Sequence, residues 1–221
     1  MAALRRHGRP GDTESLTRYG ITTNKALFVP VGKIKAIAKG LGQDHALAVA
    51  LWDTGWYEAR LLAAFVGEPE RVTVALMDRW ARDFDNWGVC DTVCFHLFDR
   101  VPKAWGRIGP WAARREEFVR RAAFALLACL ALHDKDRPES AFASALPLCE
   151  RAATDDRHLV KKSVSWAMRA IGRRGGALRQ ATLDAAQRLT ASDDATARWI
   201  GRDVARDLAR AGAGRKRAVR G

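Results

Sequence analysis

The stretch LVKKSVSWAMRAIGRR, residues 159–174, decides the fold. At 100° per residue Val160, Val164, Ala167, Met168 and Ile171 fall on one stripe, while Lys162, Trp166, Arg169 and Arg173 gather within about 60° of one another on the opposite side. This is an amphipathic helix that carries an aromatic among the cations of its polar face. Outward from it, apolar residues recur at i, i+3, i+4 and i+7 from Val31 to Leu208, and nothing sustains the period-two alternation of a half-buried strand. The expected class is all-α. Breaks at Pro30, Gly67-Glu68-Pro69, Gly109-Pro110, Pro138, Gly175-Gly176 and Ser192-Asp193-Asp194 predict roughly nine or ten helices of about 10 to 20 residues, joined by short loops.

The helices also resemble one another. EARLLAAF (58–65), DTVCFHLF (91–98), RAAFALLA (121–128), KSVSWAMR (162–169) and RWIGRDVA (198–205) align on Arg60, Asp91, Arg121, Lys162 and Arg198, at spacings of 31, 30, 41 and 36 residues. That is close to the period of two-helix repeats such as HEAT units. The expected architecture is therefore HEAT-like two-helix repeats forming a curved α-solenoid with a concave basic face, lined by the second helix of each pair. Equivalent positions would stack into a column of four cations interrupted by one carboxylate. Such a ladder suits a phosphate backbone, although long cations that merely solvate helix ends would read the same way. The expected organisation is a flexible N-terminal segment 1–20, one helical body 21–211 and a basic flexible tail 212–221.

The chain has 221 residues, 48% hydrophobic and 29% charged, which excludes disorder throughout and is enough for one good-sized core or two small ones. No apolar run approaches the roughly 18 residues of a membrane span, and MAALRRHGRPGDTESLTRYG lacks the apolar core of a secretory signal. A soluble, cytoplasmic protein without membrane contact is expected. Lys plus Arg number 38 against 25 Asp plus Glu, a net +13. Arg5, Arg6, Arg9 and Arg18 against Asp12 and Glu14, and Arg215, Lys216, Arg217 and Arg220 against no acid, leave a surplus of 7 in the body between them. A folded body so charged points to a polyanion, nucleic acid before an anionic membrane or an acidic protein. Cys90, Cys94, Cys129 and Cys149 form no CxxC pair. They read as buried small hydrophobes rather than disulfides or a zinc site, and no metal or cofactor is expected.

Two segments carry candidate chemistry. Between Asp156 and Asp184 stand seven Lys or Arg, Lys161 among them, and no acid, so Trp166 sits in the most basic part of the body. A polarisable ring beside cations suits contact with a nucleotide, and equally suits packing on a neighbouring helix. In FDNWGVCDTVCFHLFDR, residues 84–100, Trp87 and Asp91 lie one helical turn apart on an element apolar nearly all round. Asp91 is then a carboxylate in apolar surroundings, the N-cap of a helix beginning at Thr92, or the partner of an arginine from the next repeat. Trp52, Trp56, Trp80, Trp105, Trp111 and Trp199 occur on or beside apolar stripes and read as packing residues.

Together ALWDTGWYEARLLAAF (50–65), the Trp87-to-Asp91 spacing in DNWGVCD (85–91), RAAFALL (121–127) and KKSVSWAMR (161–169) resemble the AlkD-like family of DNA alkylation repair glycosylases. The likeness runs from about residue 32 to 208. It rests on loose blocks in the right order rather than on one sharp motif. It implies HEAT-like repeats with a concave DNA-binding surface, and removal of cationic alkylated bases, N3-alkyladenine and N7-alkylguanine types, by hydrolysis of the N-glycosidic bond. By the same resemblance Asp91 corresponds to the catalytic aspartate, Trp87 and Trp166 to the tryptophans that approach the deoxyribose, and Arg121 to an arginine at the backbone. Gly88 departs from the family in standing where an Asp often follows the first tryptophan, and the interval from Arg121 to Trp166 is a few residues longer than the family's.

The sparse site fits that chemistry. Glycosidases acting on neutral leaving groups use two carboxyls, whereas a base alkylated at N3 or N7 is already cationic and departs neutral, so one carboxylate suffices. The expected partner is duplex DNA containing alkylated bases, bound by a monomer that is nucleoid-associated when on DNA and needs no obligatory protein partner. Arg60, Lys161, Lys162, Arg169, Arg173 and Arg198 are the expected DNA-binding cations. Two other readings stay open: a noncatalytic HEAT-repeat protein that recognises damaged or branched DNA, and an adaptor for an acidic peptide.

Overall fold

A computed structural model describes residues 1–9, 16–21 and 23–218, with side chains described up to residue 211. The α-helices are α1 Ala2–His7, α2 Val31–Leu41, α3 His45–Asp53, α4 Tyr57–Val66, α5 Val74–Arg82, α6 Trp87–His96, α7 Ile108–Ala112, α8 Glu117–His133, α9 Glu139–Ala152, α10 His158–Arg173, α11 Gly176–Thr190 and α12 Ala195–Ala218. Among the described residues there is no strand. The chain forms two compact units, Met1–Ala104 with α1 to α6 and Trp105–Gly221 with α7 to α12.

The repeat register read from the sequence holds at every aligned position. Arg60 is the fourth residue of α4, Asp91, Arg121 and Lys162 are the fifth of α6, α8 and α10, and Arg198 is the fourth of α12. Each of these is the second helix of its pair. Within the first unit α4 packs against both α3 and α6. Within the second, α10 lies between α8 and α12 while α9 and α11 pack on each other, so second helices stack on second helices and first on first. That is the layering of a HEAT-like array, in which each pair buries its apolar stripe against the next.

Burial follows the periodicity. The α10 stripe Val160, Val164, Ala167, Met168 and Ile171 is fully buried. In α8, residues 122–131 are all buried, because Ala-Ala-Phe-Ala-Leu-Leu-Ala-Cys-Leu-Ala is apolar on every side and α7 and α10 flank it. The first unit has an aromatic core instead. Trp52 stacks on Trp80 at 4.1 Å and 5°, with Phe84 and Phe98 against them, a geometry that adds about 0.5–1.5 kcal/mol per pair beyond area burial. All four cysteines are buried.

Most breaks lie where the sequence put them. Pro30 and Pro138 immediately precede α2 and α9, and Gly175 at φ 93° with Gly176 at φ 51° turns the chain from α10 into α11, a left-handed stretch that glycine adopts without strain. Gly109-Pro110 is the exception. It lies inside α7, where Pro110 occupies the first turn and so removes no intrahelical hydrogen bond. The short helices α1 and α7, six and five residues long, are too brief to display a period. In the N-terminal segment expected to be flexible, Leu4 of α1 is fully buried and α1 packs on α2. The RKR cluster of the expected basic tail lies outside the described side chains.

An acid-sensitive tie anchors the start of α10. The Asp155 carboxylate, with 8% of its side chain exposed, takes Arg157 at 2.6 Å and Arg120 at 3.1 Å. Hydrogen bonding from Arg157 holds it below the usual carboxylate range, against the opposing effect of burial and with help from the charges of Arg157 and Arg120. The unfolded chain therefore binds this proton first, and the stabilisation, present at neutral pH, is lost as pH falls through the folded value below about 4. Urea midpoints at pH 7 and pH 3 should show Asp155→Asn costing about 2 kcal/mol at pH 7 and less at pH 3. An equal cost at both pH values would refute it.

Candidate functional site

In the first unit the site is built around the N-terminus of α6. Asn86, 2% exposed, caps the helix by accepting from the Val89 N–H at 2.9 Å, so Asp91 is not the cap. Asp91 instead lies in the second turn, half-buried on a helix whose Val89, Cys90, Val93 and Cys94 are fully buried. Trp87, also half-buried, is one turn before it, and its indole N–H donates to the Tyr19 carbonyl at 2.7 Å. The approach to α6 is fixed by a short network. Trp52 donates to Asp83 at 2.8 Å, Arg60 donates to the Asp83 carbonyl at 3.0 Å and pairs with Asp85 at 3.3 Å, and Asn86 donates to Asp85 at 2.7 Å. Arg60 also lies over the Trp52 ring at 5.0 Å, leaving 14% of its side chain exposed. The structure thus places this cation, expected on DNA, in the support of the helix that carries Asp91.

Gly88 has a packing reason. A Cβ there would come within 2.8 Å of the Tyr57 hydroxyl and 3.2 Å of Ile21. Burial, and then the charge of Glu58, pushes the Tyr57 hydroxyl up to about 12, so it stays protonated at neutral pH. The glycine that departs from the family pattern makes room for this phenol without loosening α6, which is helical from Trp87.

In the second unit Lys162, Trp166, Arg169 and Arg173 do line the polar side of α10, Lys162 and Arg173 exposed and the other two half-buried. Their charges are not equally available. Arg173 pairs with Asp207 at 2.5 Å, and Arg169 stands 3.7 Å from Asp203 and 3.6 Å from Asp207. The stretch without acids in sequence receives its acids from α12. Burial pushes the Asp203 carboxyl up, but hydrogen bonds from Ser165 and Arg206 and the charge of Arg169 outweigh it and hold it below the usual range. Lys162 has no ion-pair partner among the described residues. Partial loss of hydration and the charges of Lys162, Lys161 and Arg121 hold His158 below its usual value, a local sign of positive potential at the start of α10.

Arg121, 6% exposed, donates to the Leu159 carbonyl at 2.6 Å and so ties α8 to the first turn of α10. Arg198 donates to the Ser192 and Asp193 carbonyls at 2.9 and 2.7 Å, closing the turn after α11. Lys161 lies 5.4 Å from the Trp199 ring centroid. Trp199 corrects its reading as a packing residue: it is 38% exposed, whereas Trp52, Trp80 and Trp111 are buried. The signal was in the periodicity. On α12 the buried stripe is Ala197, Ile200, Val204 and Leu208, and at 100° per residue Trp199 lies roughly 145° from its centre. Among the described residues no three His, Cys, Asp or Glu side chains converge as metal ligands, and no helix is long and apolar enough to cross a membrane.

Residues 1–205 match the family model described as DNA alkylation repair enzyme. Among solved structures the chain is similar to one described as "A new family of proteins related to the HEAT-like repeat DNA glycosylases with affinity for branched DNA structures", at TM-score 0.75 and 19% identity over 85% of this chain and 80% of that one. It is also matched, at TM-score 0.44 and 15% identity, by a designed armadillo repeat protein in complex with a (KR)4 peptide, over 93% of this chain and 98% of that one. No curated protein matches.

Proposed function

The chain belongs to the DNA alkylation repair enzyme family, and we propose that within it this protein is a DNA glycosylase hydrolysing the N-glycosidic bond of cationic alkylated purines. The observation that carries this reading is Asp91, a half-buried carboxylate on an apolar helix that Asn86 caps, one turn from Trp87. N3-alkyladenine and N7-alkylguanine carry a positive charge in DNA. When the sugar–base bond breaks, its electron pair leaves with the base and neutralises it, and positive charge develops on the deoxyribose. Asp91 stabilises that charge and orients the attacking water on the face opposite the base. The face of Trp87, one turn from Asp91, packs on that sugar and adds about 0.5 to 2 kcal/mol. Arg121 acts through the start of α10, whose Leu159 carbonyl it holds. No proton need be donated to the base, so uncharged lesions are poor substrates.

For the DNA backbone the supporting observations favour Lys162, which pairs with no acid among the described residues, over Arg169 and Arg173, which share Asp203 and Asp207. Lys162→Ala should lower the slope of log K against log salt for duplex DNA by about 1, with Arg169→Ala lowering it less. Equal changes in the two slopes would remove the distinction. The function itself is tested by single-turnover release of N7-methylguanine from duplex DNA by the wild type, with binding to the same duplex followed in parallel. Release supports the glycosylase. Binding without release would make the protein a noncatalytic DNA-binding member of the family, and binding that ignores salt would point to an acidic protein partner instead.

A further inference from the structure

The geometry points to a second nucleic-acid contact on α12, where Trp199 forms a stacking platform for a nucleotide whose base is unpaired; this rests on the DNA-binding reading above. Trp199 lines a surface depression of about 370 Å³ together with Arg198, Arg202, Asp203 and Arg206, and the Lys161 Nζ of α10 lies over the ring, 5.4 Å from its centroid. The depression thus joins an exposed indole to four cations and one carboxylate. That carboxylate is already committed: Asp203 accepts from the Ser165 hydroxyl at 2.7 Å and from Arg206 at 2.7 Å. Arg202 is exposed and has no ion-pair partner among the described residues, and Arg206 leaves 58% of its side chain exposed. Asp203 orders the site and cancels part of its charge, and a positive surplus remains around the ring.

The occupant follows from this chemistry. Cations alone would hold phosphates of any DNA, but an exposed tryptophan left in water beside them adds affinity only where a flat apolar face can cover it. Bases in an intact duplex present their edges to the grooves and keep their faces stacked. A nucleotide in a single-stranded extension offers its face, while Arg202 and Arg206 meet its phosphates. The contacts of α10 with α12 run in register, Lys161 with Trp199, Ser165 with Asp203 and Arg169 with Asp207. Trp199 therefore lies beside the same turn of α10 that presents Lys162, so a strand held at Lys162 can continue to it.

The test compares fluorescence anisotropy binding of the full chain to a blunt lesion-free duplex and to the same duplex with a five-nucleotide single-stranded extension. The wild type should prefer the extended probe. Trp199→Ala should weaken the extended probe roughly tenfold and the blunt one less than twofold, and Trp199→Phe, which keeps a ring, should retain most of the preference. Trp199→Ala that weakens both probes alike, or neither, would overturn the proposal. Loss of the preference in Trp199→Phe as well would also overturn it, because stacking tolerates a change of ring. The glycosylase reading fails separately: a wild type that prefers the extension yet releases no N7-methylguanine sinks that reading alone, and a wild type that releases base without any preference sinks this one alone.

Discussion

Asp91→Asn should reduce single-turnover release of N7-methylguanine by two to three orders of magnitude while leaving affinity for the same duplex equal or higher. The change keeps the size and shape of the side chain and removes the charge proposed to meet the cationic sugar. Because the leaving base already carries the charge that another glycosidase would supply as a proton, the proposed mechanism calls on no second acid. Removing a negative charge from a DNA-binding surface also lowers repulsion toward phosphate, hence the equal or higher affinity. Asn86, not Asp91, caps α6 through the Val89 N–H, so the helix N-terminus keeps its partner in the variant. A variant that unfolds at moderate temperature, or one that releases base at the wild-type rate, would show that Asp91 serves the fold or nothing at all.

Gly201→Ala should destabilise the second unit far more than its single methyl suggests. A Cβ at Gly201 of α12 would lie 2.5 Å from the Ala186 carbonyl oxygen, 2.5 Å from the Thr190 hydroxyl and 2.7 Å from the Thr190 backbone nitrogen, all on α11. Two of the three are backbone atoms, so relief requires the two helices to separate. Overpacking of this kind costs up to about 3 kcal/mol, and the better helix propensity of alanine returns about 1 kcal/mol of it. The net loss of about 2 kcal/mol should lower Tm by roughly 4–8 °C. Gly172→Ala is the control: its Cβ meets the flexible end of Leu208 at 2.7 Å, which can rotate away, so its thermal shift should be smaller. If Gly201→Ala melts with the wild type, the close α11–α12 approach is not the constraint described.

The helical class, the repeat register and the buried stripes were legible because a 3.6-residue period repeats over many turns, and one error fell where that signal is short. α7 holds five residues, and Gly109-Pro110, read as a break, sits in its first turn. Trp199 reads as a packing residue from its neighbours, although its angle from the Ala197, Ile200, Val204 and Leu208 stripe sets it apart. A tryptophan is so often buried that composition outweighed phase.

By itself the sequence determined what each residue shares a helix face with. It put Trp87 one turn before Asp91, Lys162 beside Trp166, and Arg60, Asp91, Arg121, Lys162 and Arg198 at equivalent positions of second helices. Charge availability was decided by tertiary structure alone. Asp203 and Asp207 arrive from α12, more than 30 residues away in sequence, to neutralise Arg169 and Arg173, while Asp83 and Asp85 engage Arg60 and the Leu159 carbonyl engages Arg121. The physical reason is range. Helical periodicity is a local property set by backbone geometry, whereas an ion pair or hydrogen bond depends on which side chain the packed neighbour presents within about 4 Å, and that becomes defined only when the helices stack.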